Sequence, residues 1–246
     1  MSLRLRNSEK INRCTRLLEI HLGIPRQKKK RTDPLDMLVG TLLSQNTNDR
    51  NSHRAYLELR KRFPSWSRVA NAPATAIASA IKVGGMKNQK SKRIKALLLN
   101  VRERYGAYHL SGIEKMTNDE VISLLTAFHG IGFKTAACVL LFSLRREIFP
   151  VDTHIHRICN RLGFVKTKTP DKTFDAMRIL VPKGKSYSLH TNLIRFGRKV
   201  CHAQRPRCGQ CPLFDECVFG EKEKFASIKH GLPSRRSTDF MLLDEI

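Results

Sequence analysis

The chain has 246 residues, 41% of them hydrophobic, and its 46 lysines and arginines against 21 acidic residues give a formal charge of +25. No apolar run reaches the length of a membrane span, and the N-terminus lacks the apolar core of a signal peptide, so we expect neither feature. A surface this basic attracts polyanions. Nucleic acid is the first candidate, with an anionic membrane surface or general solubility as alternatives.

Helical periodicity runs through almost the whole chain, and no convincing alternating strand pattern interrupts it. The sequence therefore predicts an all-α protein of roughly ten helices. In chain order, the predicted helices cover residues 8–23, 33–45, 48–63, 88–106, 117–128, 133–144, 152–163, 170–181 and 186–201.

Local signals mark the beginnings of several of these helices. Asp33 is a suitable N-cap with Pro34 at the first helical position, and Thr117 forms a capping box with Glu120. The segment 133–144 is apolar on most faces, so we expect it to be a central, buried helix.

A basic connector and a polar C-terminal region interrupt the helical pattern. The connector, residues 23–34, contains a KKKR run that predicts a solvated loop, with a nuclear address as the alternative. Beyond residue 218 the chain becomes polar and charged, and we interpret residues 231–240 as a loose tail.

Four of the seven cysteines lie close together, in the pattern C-x6-C-x2-C-x5-C from residue 201 to residue 217. Thiolates this close in sequence can surround one metal centre, and the spacing leaves structural zinc and a [4Fe–4S] cluster both open. The four candidate ligands are Cys201, Cys208, Cys211 and Cys217. The other three, which we expect to be ordinary buried thiols, are Cys14, Cys138 and Cys159.

The stretch FHGIGFKTAACVLL, residues 128–141, places a sharp turn between two apolar helices. The HGIG sequence allows the backbone N–H groups to point outward, an arrangement that holds a phosphate. In a chain of this charge it predicts a helix-hairpin-helix that grips a DNA backbone. A simple turn between helices is the alternative.

Two titratable residues follow the hairpin. Lys134 lies about one turn beyond it, where neighbouring cations and partial desolvation favour a neutral, nucleophilic amine; an ordinary phosphate contact is the alternative. Asp152 precedes a helix, and we expect an N-cap whose ionised carboxylate could stabilise positive charge at a reacting sugar carbon. We interpret His154 and His156 as helix-face residues rather than metal ligands.

Three motifs in this order carry a family resemblance. GIG-x-KTA from residue 130, VDTHI-x-RICNR from residue 151 and the four-cysteine motif together resemble the endonuclease III family of helix-hairpin-helix DNA glycosylases, over roughly residues 30–219. The resemblance implies a [4Fe–4S] cluster and two helical domains with the DNA cleft between them. These are a six-helix barrel of residues 34–147 and a discontinuous domain of residues 1–33 and 148–246, which carries the cluster.

Carried over by position, the resemblance makes Lys134 and Asp152 the catalytic residues and the four cysteines the cluster ligands. It implies DNA contacts from the hairpin and from two loops that fill the gap left by a flipped base. These residues are His129, Gly130, Ile131, Gly132, Gln45, Asn46, Met86, Lys87 and Asn88. The family usually has proline at the position of His129, glutamine at Asn46 and leucine at Met86. The last two departures bear on opposite-strand contacts and substrate preference.

The implied function is base excision repair by a bifunctional DNA glycosylase and abasic-site lyase. The enzyme would extrude a damaged base, cleave its glycosidic bond and nick the strand by β-elimination, with oxidised pyrimidines as the family's usual substrates. Its partner would be double-stranded DNA containing a damaged base or an abasic site. We expect a monomer without membrane association, in a prokaryotic cytoplasm near the nucleoid, although a nucleus would also suit.

Two other functions compete with this one. A monofunctional glycosylase could act on mismatched thymine, uracil or adenine. Adenine glycosylases of this fold carry an essential glutamate where Thr41 stands, and mismatch-thymine relatives lack the lysine present as Lys134. A non-catalytic protein that binds DNA structures could instead keep the fold as a scaffold, but retention of both Lys134 and Asp152 argues against it.

Overall fold

The computed structural model describes residues 3–27 and 29–228, with side chains described from residue 7 onward. Within these ranges the chain forms twelve α-helices and no β-strand, which confirms the all-α class. They are α1 (Leu3–Leu22), α2 (Pro34–Ser44), α3 (Asp49–Arg62), α4 (Trp66–Asn71), α5 (Ala74–Ala80), α6 (Lys87–Tyr105), α7 (Asn118–Thr126), α8 (Phe133–Cys138), α9 (Thr153–Arg161), α10 (Pro170–Met177), α11 (Ser186–Lys199) and α12 (Lys222–Ala226). The predicted loose tail, residues 231–240, lies outside the described residues.

The described residues group into two compact units. The terminal unit comprises residues 3–27 and 147–228, and the central unit comprises residues 29–146. The basic connector from residue 29 to residue 33 belongs to the central unit, where Arg145 Nη2 donates to the Lys29 carbonyl at 3.0 Å. His109 Nδ1 also lies 3.4 Å from the Asp33 carboxylate.

The core of the central unit forms around α2 and α8. Every residue of α2 from 34 to 43 except Asp36 is buried, and the helix packs against α3, α6 and α8. The segment after α8 stays buried but widens into a π-helix over Val139–Ser143. The predicted central helix of residues 133–144 is therefore present, with a π turn at its end.

The capping residues position these helices as the sequence predicts. The Asp33 carboxylate accepts a hydrogen bond from the Leu35 amide at 2.8 Å, and Thr117 with Glu120 completes the capping box. Gly106 ends α6 with a φ of 70°, in the left-handed region that glycine adopts without steric cost. The starts of α2 and α7 and the end of α6 therefore depend on capping residues that can be recognised in the sequence.

The terminal unit packs α1 against α11, α11 against α9, and α9 against α10. Its core includes Leu18, Leu193 and Phe196, each at most 2% exposed. The three thiols outside the cysteine motif, including Cys138 in the central unit, are fully buried, as predicted: Cys14, Cys138 and Cys159. Among the helices described in the two units, none is long and apolar enough to cross a membrane.

Candidate DNA-binding and catalytic site

The hairpin between α7 and α8 is anchored by two buried side chains. Phe128 and Ile131 are 4% and 5% exposed, and the Ile131 amide donates to the Phe128 carbonyl at 3.0 Å. Between them Gly130 has a φ of 83°, which favours glycine. His129 is exposed at the tip, and a Cβ built on Gly132 would meet no atom within 4 Å. The backbone at Gly132 is therefore open to a ligand such as a phosphate.

The hairpin leads directly into the proposed nucleophile. Gly132 is the N-cap of α8, and its carbonyl accepts the amides of Thr135 and Ala136 at 3.0 Å and 3.1 Å. Lys134 is the second residue of that helix and is partly buried. Lys134 therefore follows the last residue of the turn by two positions and lies in the first turn of a helix rather than in a loop.

Asp152 belongs to the terminal unit, whereas Lys134 belongs to the central unit. Its carboxylate Oδ1 accepts a hydrogen bond from the Ile155 amide at 2.8 Å, which confirms the predicted N-cap of α9. One carboxylate oxygen is thus committed to the cap, which fixes the side-chain rotamer.

The two histidines of the same motif have protein partners within the terminal unit. His154 Nδ1 lies 3.2 Å from Arg157 Nη2, and burial lowers the pKa of His154 while the Asp152 charge opposes that shift. His156 Nδ1 lies 2.6 Å from the Thr173 hydroxyl. Both side chains pack on the helix face as the sequence indicates.

Two exposed loops of the central unit meet at their tips. We call residues 45–48, which follow α2, and residues 85–88, which lead into α6, the paired loops. Asn46 and Met86 both have left-handed backbones, with φ of 51° and 47°. The Asn46 side-chain amide donates to the Met86 sulfur at 3.6 Å, and Met86 is 48% exposed. The other predicted DNA contacts of the second loop, Lys87 and Asn88, are exposed in the first turn of α6.

One arginine connects the first loop to the hairpin. Arg93 Nη1 on α6 donates to the Gln45 side-chain oxygen at 3.2 Å. Its Cδ would lie 3.3 Å from a Cβ placed on Gly130. The predicted DNA contacts of the central unit are therefore brought together around the N-terminal half of α6.

Sequence reasoning missed a buried lysine beneath the paired loops. Lys90 is 2% exposed, and its Nζ donates to the carbonyls of Leu43 and Gly84, both at 2.8 Å. Burial lowers its pKa to about 8. A signal was present, because Lys90 shares the helical phase of the apolar residues Ile94 and Leu97, but the basic composition of α6 concealed it.

The four motif cysteines line one cavity of the terminal unit, with an apolar wall that includes Ile158, Leu162, Phe196 and Phe219. Among the described residues, no group of three or more metal-binding side chains is arranged to hold a single metal ion. A cluster gives each iron its own thiolate, so its four ligands need not converge on one point. Burial, reinforced by the neighbouring thiols, raises the pKa of Cys211 to about 12. Cys208 is buried and the other three motif cysteines are partly exposed. Four thiolates gathered in one largely apolar cavity need a polycationic centre, and this donor set fits an iron–sulfur cluster.

Two arginines of α9 hold the chain around these cysteines. Arg161 donates to the carbonyls of His202 and Ala203 at 2.7 Å and 3.1 Å and approaches the Cys201 sulfur at 3.4 Å. Arg157 donates to the Cys201 carbonyl at 2.7 Å. The VDTHI-x-RICNR motif therefore supplies both the Asp152 cap and the support of the cysteine loop.

Comparison with known proteins identifies the family. A model of the HhH-GPD superfamily base excision DNA repair proteins matches residues 39–183, and one of the iron–sulfur binding domain of endonuclease III matches residues 201–217. Endonuclease III of Thermotoga maritima is 35% identical over 201 residues, which are 82% of this chain and 90% of the relative. The chain belongs to the endonuclease III family.

Other relatives of the endonuclease III family extend the match. Endonuclease III of Haemophilus influenzae is 30% identical over 228 residues, 90% of this chain and 100% of the relative. By contrast, the chain spans 57% of a putative DNA glycosylase of Arabidopsis thaliana that is 39% identical over 168 residues.

A solved structure described as a trapped endonuclease III–DNA covalent intermediate shares the fold. Its TM-score is 0.76 at 23% identity, over 91% of this chain and 100% of that one. Family and fold together make this protein a DNA-binding, helix-hairpin-helix glycosylase of base excision repair that carries a [4Fe–4S] cluster. The metal question that the cysteine spacing left open is thereby decided.

Proposed function

We propose that this endonuclease III family member removes oxidised pyrimidines from duplex DNA and then cleaves the strand at the abasic site. One observation carries the proposal: Lys134 is the second residue of the helix that the hairpin opens. A side chain at this position starts two residues after a backbone turn that is open to phosphate. A covalent endonuclease III–DNA intermediate has been trapped in a relative of this fold, which supports the same chemistry here.

The proposed reaction begins with attack of the neutral Lys134 amine on C1′ of an extruded deoxyribose. The N–C1′ bond forms as the glycosidic bond breaks, and its electron pair leaves with the base, which takes a proton. The attacking nitrogen then loses one of its two protons, and the C1′–O4′ bond breaks to give a protonated Schiff base while O4′ takes up a proton. Loss of a C2′ proton to a base then expels the 3′ phosphate, which breaks the C3′–O bond.

Asp152 has an electrostatic role in this proposal. Its carboxylate, which caps the N-terminus of α9, would stabilise the cationic sugar as the base departs. The iron–sulfur cluster would be held by Cys201, Cys208, Cys211 and Cys217, and we propose that it supports the surrounding loop. The residues of the reaction itself are Lys134 and Asp152.

Borohydride trapping tests the nucleophile. Borohydride reduces a Schiff base to a stable secondary amine, so wild-type protein should form a covalent adduct with a lesion-bearing duplex. Lys134→Ala should form none. Lys115→Ala is the matched control, because Lys115 is an exposed lysine of the same unit, and it should form the adduct normally. An adduct from Lys134→Ala, or base excision by wild-type protein without one, would refute the assignment.

Excision across a panel of duplexes tests the substrate class. We expect thymine glycol and related oxidised pyrimidines to be removed faster than uracil or thymine in mismatches. Faster removal of the mismatched bases, without nicking, would favour a monofunctional mismatch glycosylase instead. We further propose that the protein acts as a monomer, in the compartment that holds the genome. Sedimentation of the protein bound to a labelled duplex would check the number of protein chains in the complex.

A further inference from the structure

A buried ammonium group in the central unit has no role in the reaction described above. Lysine is rarely fully buried without an acidic partner, because removing its charge from water is costly. Lys90 is 2% exposed, and its Nζ donates hydrogen bonds to two backbone carbonyls. If α6 needed only an apolar contact here, leucine or methionine would supply it without that cost. We therefore look to the location of the two carbonyls for the reason that a lysine occupies this buried position.

The two carbonyls lie at the bases of the paired loops. Leu43 is in the last turn of α2, where carbonyls have no partner within the helix, and it precedes Gln45 by two residues. Gly84 ends the short 3-10 turn Lys82–Gly84, immediately before the second loop. One ammonium group thus bonds to the backbone beneath both loops, and it also neutralises the negative end of α2.

The loop tips above these carbonyls have strained backbones. A left-handed conformation costs a residue such as methionine on the order of 1 kcal/mol and persists only where the surroundings enforce it, whereas asparagine tolerates it better. Asn46 and Met86 both adopt it, and their side chains touch at 3.6 Å. The strained tips form a single exposed feature, and Lys90 is the side chain that joins their bases.

We propose that Lys90 is a positioning residue that holds the paired loops in register, so that they enter DNA as one preformed wedge. The inference rests on the proposed function and on the expectation, drawn from the family resemblance, that these loops fill the gap left by an extruded base. Loops ordered in advance lose less conformational entropy on insertion, so more of their contact energy favours the extruded state. Because Lys90 is buried, it contributes through the loops and makes no phosphate contact itself.

Lys90→Met tests the inference, with Lys95→Met as a matched control. Methionine keeps much of the side-chain length and removes the donor. Lys95 lies on the same helix and also donates to a backbone carbonyl, that of Ala72 at 2.7 Å, but this carbonyl is not in a paired loop. Circular dichroism and thermal melting establish folding. Should Lys90→Met fail to fold, Lys90→Gln retains a donor for one carbonyl and should give an intermediate result.

The readout is 2-aminopurine opposite a tetrahydrofuran abasic-site analogue, whose fluorescence rises when the loops unstack it. This duplex needs no base excision, so the measurement stands even if the proposed lyase chemistry fails. For Lys90→Met we expect a much smaller rise and about a tenfold loss of preference for the analogue over undamaged duplex, equivalent to about 1.4 kcal/mol. Its salt dependence of binding should be unchanged, because no phosphate contact is lost. Lys95→Met should behave as wild type.

Three results would overturn the inference. The first is a wild-type fluorescence rise and preference in Lys90→Met. The second is an equal loss in Lys95→Met, which would indicate a general effect on α6. The third is a shallower salt dependence in Lys90→Met, which would make Lys90 a direct phosphate contact.

Discussion

The stability of this protein should depend on pH through Lys90. Burial lowers the pKa of Lys90 from its ordinary value of 10.5 to about 8. Between these two values the unfolded chain binds the proton more tightly than the folded chain does. The free energy of unfolding should therefore rise with pH across this interval. Lys90→Met removes the titrating group, so the comparison of wild type with the variant isolates its contribution.

The size of the effect follows from the two pKa values. At about pH 7 the folded protein must keep a buried ammonium group, which costs about 3 kcal/mol relative to the unfolded chain. At about pH 9.5 most folded molecules hold the neutral amine, and the cost falls to about 1 kcal/mol. Lys90 is 2% exposed, so solvent screening takes little from these values. Wild type should therefore gain about 2 kcal/mol over Lys90→Met between the two conditions.

Urea unfolding at both pH values measures this gain, with wild type, Lys90→Met and Lys95→Met followed in parallel by circular dichroism. In addition, a titration of lysine labelled with 13C at Cε reports the pKa directly, with the Lys90 signal assigned by its loss in Lys90→Met. If the stability difference between wild type and Lys90→Met is the same at both pH values, Lys90 does not titrate in this interval. The account of a costly buried ammonium group would then be wrong.

Three further predictions concern the cysteine loop, the hairpin and the Asp152 carboxylate. A Cβ on Gly209 would lie 2.8 Å from the carbonyl of Ala226, so Gly209→Ala should lose bound iron in a colorimetric assay, whereas Gly220→Ala, where a Cβ meets nothing within 4 Å, should keep it. Gly132→Ala places a methyl group in open space at the hairpin, so its melting temperature should stay unchanged while its affinity for duplex DNA falls in a fluorescence anisotropy titration. Asp152→Asn retains an N-cap acceptor and should keep its stability while losing most base-excision rate; Asp152→Ala should lose about 1 kcal/mol of stability as well. Stability loss in the asparagine variant, or full excision activity, would contradict the electrostatic role.

The features that the sequence predicted correctly are those that local chemistry determines. A cap such as Asp33 or Thr117 acts on amides two or three residues away, so its pattern is visible within a few letters. The motif cysteines are similar, because a short segment brings all of them to one cavity. Asp152 was also recognised as a cap from its place before a helix.

The features that the sequence did not reveal depend on contacts between distant segments. Lys90 Nζ donates to the carbonyl of Leu43, which lies 47 positions earlier in the chain. The residues next to Lys90 in the sequence do not predict this hydrogen bond. Asparagine tolerates the left-handed backbone found at Asn46, but its presence does not predict that conformation. The left-handed backbone of Met86 runs against the preference of its residue type, so local propensity predicts the opposite. These are the positions where the surrounding fold overrides local preference, and they coincide with the loops that we propose enter DNA.

The net charge of +25 counts all 46 lysine and arginine side chains equally, but their burial and their hydrogen-bond partners give them different chemical roles. Arg161 is fixed by three acceptors around the cysteine loop, so it serves the cluster rather than a phosphate. Lys90 directs its charge inward to two carbonyls. Lys134 is partly buried at the helix start where the hairpin ends. Composition therefore indicates a polyanionic partner. Only the environment of each basic side chain shows whether it would hold the DNA, position the loops or attack the sugar.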